Sequence, residues 1–111
     1  MIVHFCPRDA WAAARASGAY AADTLATQGF IHCSTIELVH VPANLLARGR
    51  ADLVLLEIDE ARVPELVWED GDPPDPDGRA FPHVYGPIPV TAVTGVRPYP
   101  AGPDGSFAPL G

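Results

Sequence analysis

A chain of 111 residues has room for one domain around one modest core, and an apolar share of 48% is that of a globular fold. Fourteen Asp and Glu stand against seven Arg and no Lys, for a formal charge of -7. An acidic surface without lysine repels phosphate backbones, which argues against nucleic-acid binding.

Thirteen Pro and ten Gly point to short elements and many loops rather than a bundle. Met1 to Pro7 has no basic region, and no stretch approaches membrane-spanning length, so a soluble cytoplasmic protein with no membrane partner is expected. Cys6 and Cys33 are too few for a disulfide framework and are expected as free thiols, with their separation left open.

Met1 to Cys6 alternates like a strand, with His4 and Cys6 on one face and Val3 and Phe5 on the other. Pro7 to Ser17 is Ala-rich, carries Asp9 in its first turn and stops before Gly18. It reads as a helix with Trp11, Ala14 and Ala10 toward the core. Ala19 to Gln28 reads as a loop. Phe30-Ile31 reads as a short buried strand, and Ser34 with Glu37 forms a capping-box pattern that predicts a helix start at Thr35. A second helix is expected from Pro42 toward Gly49. Leu53 to Ile58 is continuous enough in its apolar character to be a central strand. Leu66 to Glu69 is another strand, and Asp70 to Arg79 is an exposed Pro, Gly and Asp loop. Ordered structure resumes at Phe81, Ala92 to Tyr99 supplies a last strand, and residues 100–111 are expected to lie loosely on the surface, Phe107 excepted.

The chemistry concentrates in Gly29-Phe30-Ile31-His32-Cys33-Ser34-Thr35, where a His, a thiol and two hydroxyls sit between two helical segments. A His at a strand end beside the free N–H groups of a helix start is placed to meet an anionic ligand. If the strands bearing His4 and His32 are neighbours, one cleft wall carries His4, Cys6, His32 and Ser34, and the segment from Phe81 to Pro89 adds His83 and Tyr85. Imidazoles and hydroxyls there suit ribose hydroxyls or acid–base work near neutral pH. His40 lies in a helical region and has the weaker case. Among the carboxylates Glu57, Asp59 and Glu69, the last stands beside Trp68, and an apolar neighbour is expected to raise its pKa into a useful range.

Two rival chemistries use the same residues. His4-x-Cys6 on one strand face, with His32 and His83, can be assembled into a zinc site, although no pair of close ligand doublets supports it. A Cys–His nucleophile from Cys33 or Cys6 with His83 lacks any basic neighbour to depress the thiol pKa. The sequence holds no phosphate-binding loop, dinucleotide glycine fingerprint or nucleophile elbow.

The order of His4, Trp11, Gly29 to Thr35, Leu53 to Asp59, Trp68-Glu69 and Phe81-Pro82-His83-Val84-Tyr85-Gly86-Pro87 resembles the bacterial family of domains of unknown function numbered 952, over residues 1 to about 99. The resemblance implies an α+β fold of the ADP-ribosyltransferase type, with short helices and a split, mostly antiparallel sheet around a cleft that binds NAD in active relatives. Within that superfamily the chain is similar to the RNA 2′-phosphotransferases. Val3-His4-Phe5-Cys6 matches only the His of their Tyr-His-Gly-Thr motif. Phe30 to Ser34 matches the second His and the Ser of their His-Val-His-Leu-Ser motif. The motif's Gly is Phe5 here, the Arg residues are scattered, and Glu69 precedes the third motif instead of sitting in it.

The expectation is one domain over residues 1–99 with a tail over 100–111. Its ligand is NAD or a related small nucleotide, contacted by His4, His32, Ser34 and Tyr85, with His32, His83 and Glu69 as catalytic candidates and no metal. The transferred group is ADP-ribose or phosphate. The alternatives are a non-enzymatic protein-binding module with a degenerate cleft, and the zinc protein.

Overall fold

Alternation along the first strand decides how the chain packs. In the computed structural model, which describes residues 1–110, β1 (Ile2–Pro7) pairs antiparallel with β4 (Leu53–Ile58), and β4 pairs antiparallel with β8 (Val93–Pro98). Ile2 and Cys6 point to one side of this sheet with Val54, Leu56 and Ile58, while Val3 points to the other with Leu53 and Leu55. Both faces are covered. A strand buried on both faces shows little polarity, which is why Leu53 to Leu56 is an unbroken apolar run, with Glu57 the one half-exposed polar residue before Ile58.

The first face is closed by α1 (Arg8–Ser17), which buries Trp11 and Ala14 and ends on Gly18 at φ 95°, a left-handed cap that favours glycine. Against the same core lie β2 (Ala19–Tyr20) with its antiparallel partner β7 (Ile88–Pro89), and a second three-stranded sheet. That sheet runs β3 (Ile31–His32), β6 (Ala80–Val84), β5 (Leu66–Asp70), all antiparallel, with His32 opposite His83 and Glu69 opposite Phe81. The fold is therefore α+β with antiparallel strand pairings and short helices, α2 (Asp23–Thr27) and α3 (His40–Leu46) being the other two. Among the described residues no helix is long and apolar enough to cross a membrane.

Three local expectations are corrected. Ala19 to Gln28 is not a loop but holds β2 and α2, two elements too short for periodicity to register. Ser34 caps no helix: its N–H donates to the Val3 carbonyl and its carbonyl accepts from the Val3 N–H, both at 2.8 Å, which keeps it extended. Thr35 to Val39 forms turns instead, and α3 begins at His40 with no side-chain cap. There is accordingly no helix N-terminus beside His32 to attract an anion.

The C-terminal segment is held more firmly than expected. Phe107 is buried, with its ring centroid 4.8 Å from that of Tyr99, in a second core with Val39, Ala43, Ala47 and Leu55. Asn44 clamps it from α3, accepting from the Phe107 N–H at 2.7 Å and donating to the Phe107 carbonyl at 2.9 Å. The Gly49 N–H donates to the Gly105 carbonyl at 2.8 Å. Phe107→Ala is expected to cost about 3 kcal/mol and Asn44→Ala about 1–2 kcal/mol of folding stability, read as lowered urea midpoints. A tail resting loosely on the surface would leave both midpoints unmoved.

Candidate functional site

The outer face of the β3-β6-β5 sheet carries the polar chemistry. Ile31, Val84 and Leu66 turn inward to the core, so their neighbours Phe30, His32, His83 and Tyr85 turn outward, joined by Glu69 at period two from Val67. Glu69 Oε2 accepts two hydrogen bonds, from the Tyr85 hydroxyl and from Nδ1–H of His83 at 2.7 Å. The phenyl ring of Phe30 stacks on His83 at 4.3 Å between centroids and touches His32 at 4.6 Å and Tyr85 at 5.4 Å. His32 meets His83 edge-on at 5.4 Å and donates from Nε2 to Gln28 Oε1 at 2.6 Å.

These contacts fix the donors and acceptors of the face. A carboxylate can only accept from His83 Nδ1, so Nδ1 carries a proton, and the ring itself is buried against Phe30, 2% exposed. The Tyr85 hydroxyl, then His83, hold Glu69 below the usual carboxylate range. This overturns the expectation of a raised pKa, because two donors on one oxygen outweigh an apolar neighbour, and Trp68 points to the opposite face and is itself 46% exposed. Burial, then His83, lowers the pKa of His32, while Asp72 from the β5–β6 loop opposes the shift. The Tyr85 phenol is pushed up by its bond to Glu69.

His4 lies apart from this face. Its Nδ1–H donates to the His32 carbonyl at 2.6 Å and its Nε2 accepts from the Tyr20 hydroxyl at 2.9 Å, so both nitrogens are engaged within the protein. Burial holds it down to about 4, hence neutral. Ser34 is buried at the junction of the two sheets. Of the expected site residues, His32, His83, Glu69 and Tyr85 come together, while His4 and Ser34 join β3 to β1 instead of lining one cleft with them.

The rival chemistries are not assembled. Among the described residues no group of three or more His, Cys, Asp or Glu is placed to hold a metal ion. The zinc candidates are committed elsewhere, His4 to Tyr20 and the His32 carbonyl, His32 to Gln28, and His83 to Glu69. Burial pushes the Cys6 thiol up to about 11 and Cys33 up to about 12, the reverse of an activated nucleophile. Glu57 pairs with Arg97, and Asp59 caps the turn at Ala61. His40 opens α3 with a buried Nδ1 that has no partner among the described residues.

Phe30, Gln28 and Asp72 were missed. Phe30 shares the parity of His32, which was the available signal, but an aromatic beside Ile31 reads as core. Nothing local marks Gln28 or Asp72.

An antiparallel α+β domain with a carboxylate, an imidazole and a phenol gathered around an exposed-face phenyl ring is the class of protein this geometry defines. The chain belongs to the family described as protein of unknown function, DUF952, whose family model matches residues 5–96. The crystal structure of CC0527 from Caulobacter crescentus is similar at 33% identity, covering 96% of this chain and 92% of that one, with a TM-score of 0.85. The solution structure of CC0527 matches with a TM-score of 0.78 at 33% identity, over 96% of this chain and 90% of that one. No curated protein matches the chain.

The His4 contacts generate a pH dependence. A His whose pKa is lowered on folding stays neutral in the folded state while the unfolded chain takes up the proton, so stability is full above the unfolded value near 6.5 and falls as pH drops toward about 4. His32, also lowered, acts in the same direction. Urea unfolding between pH 7 and pH 4 is expected to show a loss of roughly 2–3 kcal/mol from His4, and His4→Asn should flatten that slope to the smaller part left by His32. An unchanged slope in His4→Asn would remove His4 as its source.

Proposed function

We propose that the outer face of the β3-β6-β5 sheet binds the nucleoside portion of NAD or a related nucleotide and transfers ADP-ribose, with His83 as acid–base group. The observation that carries this reading is the convergence of His83 and Tyr85 on one oxygen of Glu69 beside the ring of Phe30. A base or nicotinamide ring stacks on an aromatic face, ribose hydroxyls donate to a carboxylate, and an imidazole anchored at Nδ1 takes up a proton at Nε2. Glu69 orients His83 through the Nδ1 contact.

The family resemblance supplies NAD, the ADP-ribosyltransferase-like fold and the two candidate transfers, and the split antiparallel sheets are consistent with that fold. Charge favours ADP-ribose over phosphate. Four of the seven arginines are paired with other carboxylates, Arg50 with Asp52, Arg62 with Asp59, Arg79 with Asp75 and Arg97 with Glu57, and among the described residues no arginine pairs with Glu69, where one could hold a transferring phosphoryl group. In this reading His4 and Ser34 position β3 and do not contact the ligand.

A second reading, a protein-binding module, draws on the edge strand β5, where Val67 and Trp68 are exposed next to the loop from Asp70 to Arg79. Under it, substitutions at Trp68 or in the loop abolish function and those at His83 are silent.

NAD titrated into the protein is expected to give saturable amide shifts at Phe30, His32, His83 and Tyr85 and to release nicotinamide slowly when an acceptor is present. Phe30→Leu should weaken binding, and His83→Ala should lower turnover by roughly 10²–10⁴-fold with less effect on binding. Absence of shifts at millimolar NAD would sink the nucleotide reading.

A further inference from the structure

The charge of this face specifies its ligand more narrowly than its shape does. Both donors to Glu69, Tyr85 and His83, bind Oε2, and Oε1 receives no hydrogen bond from the described residues. The Glu69 side chain is 34% exposed, so the free oxygen is within reach of a ligand. Phe30, half-buried, packs against both donors to Glu69: one of its faces is stacked on His83 at 4.3 Å between centroids, and its ring is tilted against Tyr85 at 5.4 Å and His32 at 4.6 Å.

No arginine is ion-paired with Glu69 among the described residues. Among the described residues the one basic group within ion-pair distance of Glu69 is His83, and Asp72 from the adjoining loop raises the pKa of His32. Arg79, the arginine of the adjoining β5–β6 loop, is held by Asp75 at 2.9 Å and by Asp77 at 3.5 Å. An ionised carboxylate and aromatic rings, with a second carboxylate nearby and no guanidinium, attract cations and repel phosphates.

We infer that this face receives an organic cation, an ammonium, guanidinium or N-substituted pyridinium group seated on Phe30 with its charge toward Oε1 of Glu69. The inference rests on the reading above only in taking the same face as the binding site; it concerns the charge of the bound group, which that reading leaves open. A cation placed there gains a charge-assisted hydrogen bond or ion pair from Glu69 and a cation–π contact from Phe30, whereas its neutral isostere gains neither.

The test uses matched pairs of probes on the full chain, followed by amide shifts: methylguanidinium against methylurea, the ring-methylated cation 1-methylnicotinamidium against nicotinamide, and tetramethylammonium alone. Each cation is expected to bind at least about tenfold more tightly than its neutral partner, with shifts centred on Phe30, Glu69 and Tyr85 and affinity falling as salt is raised. Glu69→Gln should bring the ratio to about twofold or less while the rest of the spectrum keeps its native dispersion, and Phe30→Leu should reduce cation binding with the carboxylate intact. Comparing the guanidinium and pyridinium arms tells whether a side-chain-like or a nicotinamide-like cation is preferred. Equal affinities for charged and neutral probes, or no shifts from any cation, would overturn the inference, even if NAD itself binds. Cation binding without NAD binding would uphold it and remove the nucleotide reading.

Discussion

The structure depends on the joint between β1 and the end of β3. Two backbone hydrogen bonds between Val3 and Ser34, and a third from the His4 side chain to the His32 carbonyl, tie the second sheet to the first. Everything beyond that joint inherits its register: Ile31 and Cys33 enter the core that Ile2 and Cys6 help to form, and the residues between them are turned outward. Because the side-chain period of a strand is two, a slip of one residue at Ser34 would bury His32 and expose Ile31. His4 is suited to the joint because a neutral imidazole bridges an acceptor and a donor at once, here the His32 carbonyl and the Tyr20 hydroxyl.

The site exists because the outward residues of three strands are complementary. Glu69 comes from an edge strand, His83 and Tyr85 from the central one, and Phe30 and His32 from the strand fixed at the joint. The central strand is anchored by Val84 in the core, so its neighbours His83 and Tyr85 are held from below. This arrangement keeps a carboxylate ionised, an imidazole in one tautomer and an aromatic face together without metal-type convergence. The same low pKa that makes Glu69 a poor proton donor makes it a good counter-charge and a good anchor for His83.

Several features are legible in the sequence alone. The helix ending at Gly18 with Trp11 inward, the central position of Leu53 to Ile58, the strand at Leu66 and the polarity of His32, His83, Glu69 and Tyr85 all follow from period, punctuation and residue type. The illegible parts share a physical cause, competition by long-range partners. Ser34 and Glu37 spell a helix cap, but the Ser34 backbone is already used by Val3, thirty-one positions away in sequence. Trp68 beside Glu69 suggests an apolar microenvironment, yet adjacent strand residues face opposite sides and the true neighbours of Glu69 lie on another strand. In the tail after Pro100, Phe107 was marked out by residue type, but its partners, Asn44 and the core beside α3, lie about sixty positions away and leave no local signal.

By itself the sequence determined the local grammar of this protein: an acidic, loop-rich α+β chain, a strand apolar on both faces, one capped helix, and a set of histidines and aromatics too polar for their surroundings. These depend on side-chain chemistry and on periods of a few residues, which any short window contains. Only the tertiary structure decided which histidine serves the joint and which serve the outer face. That choice depends on the pairing of strands more than fifty residues apart, Ile2 with Ile58 and His32 with His83, and a difference of one in register would turn His32 inward.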